Sequence, residues 1–304
     1  MPTQAFVLGA GLGTRLRPLT DRLPKPMIPV WNKPLISWAF DHLISGGFSR
    51  FMVNTHHLPE AYDRAFPDHH YGGCPLEFRH EPVLLETGGG IANIADWLPR
   101  EDSFIVYNGD ILSDLPLQKA LDHHLGSRDL VTMVLRSSGS ALQVSWNENS
   151  GLVTDIGGRL EPGATTPRFQ FTGIYLVRPA FLELLTPGKK ESVIPAFLHT
   201  AAAHQLGGVV IDEGRWSDLG DRPSYLAASL ALGAGDFPRY EVPEAAQAVR
   251  IHPKSRIAPT AKVCPLSSVG PDCVVEAHAQ VERSILWPGA HVMAGTVVTG
   301  EVLA

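Results

Sequence analysis

A glycine-rich segment near the beginning of the chain combines the residue types that bind phosphate. It reads Gly9-Ala10-Gly11-Leu12-Gly13-Thr14-Arg15 and is followed by Pro24-Lys25-Pro26-Met27. Glycines let the backbone approach an anion closely and point its N–H groups at it, while arginine and lysine neutralise phosphate oxygens. The segment therefore predicts a cradle for a nucleoside triphosphate. The residues assigned to this cradle are Leu8, Gly9, Ala10, Gly11, Gly13, Thr14 and Arg15.

Two commoner glycine motifs do not match this segment. A dinucleotide-binding fingerprint, Gly-x-Gly-x-x-Gly, requires a glycine where this chain has Thr14. A P-loop ends in Gly-Lys-Ser/Thr, and no lysine follows any of these glycines. A plain glycine-rich turn is the remaining alternative, and the accompanying basic residues argue against it.

Two aspartates farther along the chain are candidate metal ligands. Asp110 follows the apolar run 104–108 and Gly109, and Asp218 lies in Arg215-Trp216-Ser217-Asp218-Leu219-Gly220. Ligands of open α/β sheets bind at the carboxyl ends of the strands, which is where Asp110 is expected. Taken alone, Asp110 is equally compatible with a helix cap.

A second glycine-rich turn opens a predicted helix at 81–91. Thr87 and the backbone amides after it, beginning with Gly88, can hold a base or a ribose at a helix N-terminus. A plain capped helix is the alternative.

Strands and helices alternate around these segments, which predicts an α/β fold with a parallel sheet. Gly173 lies within a predicted strand, where a glycine usually marks the close approach of a ligand or of another backbone. The predicted strands are 5–8, 51–54, 76–80, 104–108, 130–135 and 171–177, the helices are 34–44 and 58–66, and 141–158 is an antiparallel insertion.

The motifs at 9–20 and 24–27 resemble the signature of the sugar-1-phosphate nucleotidylyltransferases. The resemblance covers residues 3 to 230 and implies a Rossmann-like, mixed but mostly parallel sheet flanked by helices. It implies nucleotidyl transfer from an NTP to a sugar 1-phosphate, with Mg²⁺ held by Asp110 and Asp218. It also implies that Arg15, Lys25 and Asp110 are catalytic, that Glu81, Thr87 and Gly88 contact the nucleotide, and that Lys25, Asn108, Thr172 and Gly173 bind the sugar phosphate.

Details of the motifs favour one branch of this family over the others. The stretches 85–90 and 171–174, and the absence of a Glu-Lys-Pro before the second, resemble the branch that uses UTP and N-acetylmuramate 1-phosphate. The GTP-dependent branches that act on mannose or heptose 1-phosphate stay open. The residue that replaces the lysine of the absent Glu-Lys-Pro is also left open, and Arg168 is one candidate. A regulatory subunit that binds sugar nucleotides without chemistry is the non-enzyme alternative, and the four charged residues of the site argue against it.

The last fifty residues have a six-residue period. Aliphatic residues recur at regular steps from Ile251 to Val281, and such hexapeptide repeats build a left-handed parallel β-helix. After Glu282 the spacing loosens, and Ile285, Val292 and Val298 are expected to continue the coil around an insertion.

The predicted domains are 1–232 for catalysis, a linker at 233–250 and the repeats at 251–304. Hexapeptide repeats also occur in acyltransferases, but this tail is too short for that chemistry and is expected to cap the catalytic domain or to mediate contacts in a homo-oligomer.

Composition limits the classes of partner. The net charge is −6 and there is no run of lysine or arginine, which argues against nucleic acid or an anionic membrane as a partner. No apolar stretch approaches ~20 residues, the length that spans a bilayer, and no signal segment precedes the first strand. The three cysteines are widely spaced and are read as reduced thiols. The sequence predicts a cytoplasmic enzyme acting on small molecules.

Overall fold

The computed structural model describes residues 2–160, 162, 167–235, 237–242 and 246–304. The predicted linker at 233–250 lies partly outside the described residues, at 236 and 243–245. The helices are α1 (Leu19–Arg22), α2 (Leu35–Ser45), α3 (Glu60–Ala65), α4 (Glu86–Asn93), α5 (Leu117–Gly126), α6 (Ile194–Ala202) and α7 (Arg222–Gly233). The strands before the repeats are β1 (Gln4–Leu8), β2 (Pro29–Val30), β3 (Lys33–Pro34), β4 (Arg50–Thr55), β5 (His70–Tyr71), β6 (Cys74–His80), β7 (Phe104–Asn108), β8 (Ile111–Ser113), β9 (Val131–Arg136), β10 (Leu142–Asn147), β11 (Leu152–Ile156), β12 (Arg168–Val177), β13 (Leu206–Val210) and β14 (Trp216–Asp218).

The chain forms two compact units that interleave along the sequence. The first comprises Met1–Gly11, His42–Gly109 and Leu115–Trp216, and the second comprises Leu12–Asp41, Asp110–Asp114 and Ser217–Ala304. The sequence instead predicted consecutive segments, and that division stays a prediction. None of the described helices is long and apolar enough to cross a membrane.

The first unit is built on a ten-stranded mixed sheet in the order β10-β11-β13-β9-β12-β7-β1-β4-β6-β5. Strand β1 pairs in parallel with both β4 and β7, and β4 pairs in parallel with β6. These four strands point their carboxyl ends in one direction, so residues at and just after those ends share an edge of the sheet. Strand β12 is antiparallel to β7 and β9, and the predicted insertion is the antiparallel pair β10 and β11. The mixed α/β fold is therefore confirmed.

Apolar residues on the strands explain why this sheet is buried. Strand β1 contributes Phe6 and β7 contributes Phe104 and Val106, all without solvent exposure. They pack in one cluster with Tyr175 and with Phe197 of α6. A continuous apolar run is typical of strands covered on both faces, as the sequence indicated.

The second unit has a separate core that joins the beginning and the end of the chain. Leu16 and Leu19, which follow the glycine-rich segment, lie in one buried cluster with Tyr225 of α7 and with Ile285 and Trp287 of the C-terminal repeats. The indole N–H of Trp287 donates to the Tyr225 hydroxyl, which in turn donates to the carbonyl of Pro29. The repeats thus stabilise the part of the chain that follows the first glycines.

The repeats form three small parallel sheets, each of which takes every third strand. This order is consistent with the predicted β-helix, and the left hand of the coil stays a prediction. The nine strands are β15 (Arg256–Ile257), β16 (Lys262–Val263), β17 (Ser268–Val269), β18 (Val274–Val275), β19 (Gln280–Glu282), β20 (Ile285–Leu286), β21 (His291–Val292), β22 (Val297–Thr299) and β23 (Val302–Leu303).

The register of the repeats corrects one prediction. Val269 pairs with Leu286, and Leu286 packs with Val275 and Val292 in the interior of the repeats. Ile285, which was expected in that interior, lies in the other core of this unit. The coil is therefore one residue short after Val281 and contains no insertion. A deletion of one residue in a strand region moves the neighbouring side chain to the opposite face, which is why Ile285 points elsewhere.

Within the second unit, a buried ion pair contacts the region before the repeats. The Lys33 ammonium contacts the Asp41 carboxylate, donates to the carbonyl of Ala246 at 2.6 Å and lies 4.6 Å from the centre of the Trp38 ring. Both charged side chains are almost fully buried. Burial lowers the pKa of Lys33 below its usual value, and Asp41 opposes that shift.

Replacement of Lys33 by Met is expected to lower the free energy of unfolding by about 3–5 kcal/mol, because it leaves the Asp41 carboxylate buried without a counter-charge. Urea denaturation measures the change. Lys119→Met is the matched control, since the exposed pair of Lys119 with Glu213 contributes at most about 1 kcal/mol. Equal losses in the two variants would contradict the assignment.

Candidate active site

The second unit gathers three of the predicted site residues around one ammonium group. Nζ of Lys25 lies 2.8 Å from Oδ2 of Asp110 and 2.9 Å from Oδ1 of Asp218. The lysine side chain is 8% exposed, whereas the two aspartates are 35% and 42% exposed. The carboxylates therefore converge on one cation at an accessible position. Both aspartates, predicted as a pair, thus lie within 3 Å of one ammonium group, and their binding of a metal stays a prediction.

Local structure explains how these three groups meet. Asp110 directly precedes β8, Asp218 ends β14, and the two strands pair in a two-stranded sheet. Lys25 begins a short 3₁₀ helix, Lys25–Met27, all of whose residues are buried. The hydroxyl of Thr20 donates to the carbonyl of Gly13 at 2.9 Å and closes the segment between Gly13 and Lys25.

Gly13 is required by both conformation and space. Its φ is 58°, and a Cβ at this position would lie 2.9 Å from Cγ2 of Thr20 and 3.0 Å from Cβ of Lys25. A side chain would therefore push the Lys25 segment away. Gly13 is therefore needed for its positive φ and for the space that it leaves to Lys25.

Arg15 is the exposed cation of this group. One guanidinium nitrogen lies 3.9 Å from Oδ2 of Asp218, and the side chain is 72% exposed. A Cβ on Gly220 would lie 2.9 Å from the same nitrogen, so this glycine provides the room in which the guanidinium lies. Hydrogen bonds from Ser224, followed by the charges of Arg15 and Lys25, hold the pKa of Asp221 below its usual value. Gly220, the last residue of the motif around Asp218, and Asp221, which directly follows it, are site neighbours to which the sequence alone assigned no role.

The donor set fits Mg²⁺. Magnesium in proteins is commonly bound by one or two carboxylates, with water and substrate phosphates completing the shell. Asp110 and Asp218 supply two carboxylates that already share a cation, and no group of three or more His, Cys, Asp or Glu side chains with metal-binding geometry occurs among the described residues. Two carboxylates are the protein ligands that a substrate-completed magnesium site requires, and that Asp110 and Asp218 hold the metal stays a prediction.

In the first unit, Asn54 holds the beginning of the glycine-rich segment. Its side-chain oxygen accepts hydrogen bonds from the amides of Gly9 at 2.9 Å and Ala10 at 3.4 Å. The amide of Gly11 donates to the carbonyl of Gly9. These three amides were predicted to face a phosphate, but they donate within the protein instead. Asn54 ends a predicted strand and carried no local signal for this role.

The glycine at position 9 has a packing role. A Cβ there would lie 2.6 Å from the carbonyl oxygen of Asn54 and 2.7 Å from a methyl group of Val53. The hydroxyl of Tyr62 donates to the Gly9 carbonyl at 3.0 Å. Leu8, at the end of β1, leads the chain into this closely packed corner. Gly11 differs, because a Cβ there would meet open space.

Glu81, which was predicted to contact a base, makes its hydrogen bonds within the protein. Its side chain has no solvent exposure, one carboxylate oxygen accepts from the Asn54 side-chain amide at 2.8 Å, and the other accepts from the amide of Leu85 at 2.9 Å. Both oxygens are therefore committed inside the protein. The carboxylate lies beside the start of α4, and both contacts described there are with the protein, whereas the contact with a base stays a prediction.

The turn after Glu81 leads into α4 as predicted. No side chain caps this helix, and Thr87 is partly exposed in its first turn. Gly88 is buried, and a Cβ there would lie 2.9 Å from the carbonyl oxygen of Glu191. Gly88 therefore packs against the 189–192 segment, and Thr87 is the residue of this pair whose side chain reaches solvent.

The structure brings Asn108 and Gly173 together in the first unit. A Cβ on Gly173 would lie 2.5 Å from the Asn108 side-chain nitrogen, and the φ of Gly173 is 80°. Thr172 is fully buried, and its hydroxyl donates to the carbonyl of Val134 at 2.8 Å. Its carbonyl accepts from the Trp216 indole at 2.7 Å. Asn108 and Gly173 thus remain candidates for contact with a sugar phosphate, whereas the Thr172 side chain is committed to the sheet.

Comparison with known proteins agrees with this geometry. The chain is 29% identical to a mannose-1-phosphate guanylyltransferase of Mycobacterium tuberculosis over 97% of this chain and 82% of that protein. It is 39% identical to an N-acetylmuramate alpha-1-phosphate uridylyltransferase of Neisseria meningitidis over 76% of this chain and 99% of that protein. A solved UDP-glucose pyrophosphorylase from Acinetobacter baumanii superposes with a TM-score of 0.64 at 18% identity, covering 79% of this chain and 95% of that one, and shows the same fold.

The family model described as nucleotidyl transferase matches residues 4–234, which is most of the chain and includes every residue of the site. The C-terminal repeats lie beyond this match. The chain belongs to the nucleotidyl transferase family.

Proposed function

We propose that this protein transfers a nucleotidyl group from a nucleoside triphosphate to a sugar 1-phosphate, giving an NDP-sugar and pyrophosphate. The observation that carries the proposal is the Lys25 ammonium held between Asp110 and Asp218, in a chain of this family. The cluster combines a cation for phosphate with two carboxylates for a divalent metal. A regulatory subunit that does not catalyse this reaction would not need the cluster of Lys25, Asp110 and Asp218.

In the proposed reaction, an oxygen of the sugar 1-phosphate attacks the α-phosphorus of the triphosphate. A new P–O bond forms, the bond from the α-phosphorus to the oxygen that bridges to the β-phosphate breaks, and pyrophosphate leaves with the electron pair. The attacking phosphate is already ionised at neutral pH, so no protein base is needed. Catalysis then consists of positioning and charge neutralisation.

Each charged residue has a part in this scheme. Arg15, the exposed cation, neutralises the departing pyrophosphate, and Lys25 draws the sugar phosphate towards the α-phosphate. Asp110 and Asp218 hold Mg²⁺, which would neutralise charge on the phosphates when bound. In the first unit, Asn108 and Gly173 contact the sugar phosphate, and Thr87 contacts the nucleotide.

We propose UTP and N-acetylmuramate 1-phosphate as the substrates. Support comes from the motifs at 85–90 and 171–174 and from the Neisseria relative, which is 39% identical over 238 residues. GTP with mannose or heptose 1-phosphate is the second candidate. It is favoured by the Mycobacterium relative, whose similarity extends over 302 residues and so includes the repeats. The left-handed coil, and its use in capping or in contacts between copies, is part of the same proposal.

Pyrophosphate release tests the proposal. UTP, GTP, CTP and dTTP are each combined with a panel of sugar 1-phosphates in the presence of Mg²⁺. We expect the highest kcat/KM for UTP with N-acetylmuramate 1-phosphate. A higher value for GTP with mannose or heptose 1-phosphate would establish the second candidate, and binding of sugar nucleotides without pyrophosphate release from any pair would overturn the reaction.

A further inference from the structure

We infer that Asn54 and Glu81 form a positioning pair that fixes the start of the glycine-rich segment, Gly9 and Ala10, to the start of α4, so that the two ends of a bound nucleotide are held at a set distance. The inference rests on the proposed function for its ligand. It assigns Glu81 to the protein's own framework and not to the base. It also assigns a role to Asn54, which no motif in the sequence identified.

The pair is a continuous chain of hydrogen bonds through the first unit. The amides of Gly9 and Ala10 donate to Asn54 Oδ1, Asn54 Nδ2 donates to one oxygen of Glu81, and the Leu85 amide donates to the other. Asn54 is 3% exposed and Glu81 is fully buried. In a site of low dielectric, such a network is strong when complete and costly when one donor loses its acceptor.

Surrounding contacts hold the pair in one geometry. The amide of Glu81 donates to the carbonyl of Thr55 at 2.7 Å, and Nδ1 of His56 lies 2.7 Å from the carbonyl oxygen of Glu81. A Cβ on Gly90 would lie 3.0 Å from Asn54 Nδ2 and 3.1 Å from Glu81 Oε1, so this glycine leaves the room that the side chains occupy. The backbone on both sides of Glu81 is therefore fixed.

The consequence for function follows from what each end of the pair touches. One end uses the amides of Gly9 and Ala10, at the start of the glycine-rich segment, and the other supports Leu85, immediately before α4. A displacement at either end changes the spacing that a triphosphate and its base must match. Asn54 and Glu81 therefore contribute to nucleotide affinity without touching the nucleotide.

The direction of the hydrogen bonds gives a sharp test. In Glu81→Gln, the new carboxamide has one acceptor for two donors, Asn54 Nδ2 and the Leu85 amide. In Asn54→Asp, two carboxylates face each other. The double variant reverses the polarity and completes the chain again. The carboxylate introduced at position 54 then accepts from the Gly9 and Ala10 amides and from the carboxamide nitrogen introduced at position 81, while the oxygen of that carboxamide accepts from the Leu85 amide.

Two measurements follow from this design. Each single variant is expected to raise the Kd for UTP or GTP, measured by calorimetry with Mg²⁺ and no sugar phosphate, by roughly 10- to 100-fold. The reason is that binding must bring the displaced segments back into place, at up to the cost of one unsatisfied buried donor. The double variant is expected to return to within about threefold of the unmodified protein, since all donors regain acceptors. Hydrogen exchange at the amides of Gly9 and Ala10 is expected to accelerate in the single variants and to slow again in the double variant.

A matched control separates this role from a general effect of the substitution. The side-chain oxygen of Asn147 also accepts from two backbone amides, those of Asn149 and Ser150, but in an exposed turn. Asn147→Asp is therefore expected to change neither nucleotide affinity nor exchange at Gly9 and Ala10. Exchange of the β7 amides reports any general loosening of the sheet.

The outcomes distinguish the positioning pair from the proposed reaction. If neither UTP nor GTP binds, the proposed function fails, and hydrogen exchange at Gly9 and Ala10 still tests the pair. A double variant no better than the worse single variant in that exchange would overturn the inference. The inference would also be overturned if the Gly9 and Ala10 amides of the single variants exchanged as slowly as in the unmodified protein. The same holds if exchange of the β7 amides rose as much as exchange at Gly9 and Ala10.

Discussion

Replacement of Asp110 by Asn is expected to lower kcat by about 10²- to 10³-fold, the size of effect that follows loss of one preorganised electrostatic contact. Asparagine keeps the shape of the side chain but loses the negative charge that faces Lys25 at 2.8 Å. The divalent metal of the proposed reaction loses one of its two protein ligands at the same time. Pyrophosphate release with the best substrate pair measures the change.

The fold is expected to survive this substitution, because Asp110 is partly exposed and contributes nothing to either apolar core. Circular dichroism and the thermal midpoint check this. Asp96→Asn is the matched control, since Asp96 is also paired with a cation, Arg79 at 3.1 Å, but belongs to an exposed ion pair of the first unit. Near-normal turnover in Asp110→Asn, alongside an intact Asp96→Asn protein, would exclude Asp110 from the chemistry.

Replacement of Lys25 by Met is expected to lower kcat/KM by about 10²- to 10³-fold as well, because the ammonium that neutralises phosphate charge is removed while the apolar stem stays packed. A second effect has the opposite sign. Without Lys25, the carboxylates of Asp110 and Asp218 face each other with no intervening cation, so a divalent metal is expected to bind more tightly in the absence of nucleotide. Mn²⁺ binding, followed by electron paramagnetic resonance, measures this change.

Two further variants make the result specific to the Lys25 ammonium. Lys25→Arg is not expected to restore activity, because a planar guanidinium does not fit a buried position shaped for a compact ammonium near two carboxylates. Lys119→Met removes an exposed lysine paired with Glu213 and is expected to leave both turnover and Mn²⁺ affinity unchanged. Unchanged or weaker Mn²⁺ binding in Lys25→Met would contradict the role of Lys25 as the shared counter-charge.

The sequence by itself determined the local chemistry and the periodic structure of this protein. Glycines followed by Arg15 and Lys25 indicated a phosphate-binding segment, because closely spaced residue types suffice to specify such a loop. The apolar run at 104–108 predicted the buried strand that carries the chain to Asp110. Six-residue steps predicted the repeats, because each repeat turns its aliphatic residue to the same side. These features depend on neighbours a few residues apart.

The tertiary structure decided which side chains share a partner. Lys25 is 85 residues from Asp110 and 193 from Asp218, and only the path of the chain brings their charges within 3 Å. Asn54 and Glu81 illustrate the same limit: Asn54 has no local signature, and the Glu81 carboxylate fits a base contact equally well until its two occupied oxygens are seen. Because the repeat is one residue shorter after Val281, Ile285 lies in the other core of the second unit and not in the interior of the repeats. Hydrogen bonds and ion pairs act over a few ångströms in space, so sequence patterns predict which groups are available and the folded chain determines what each of them contacts.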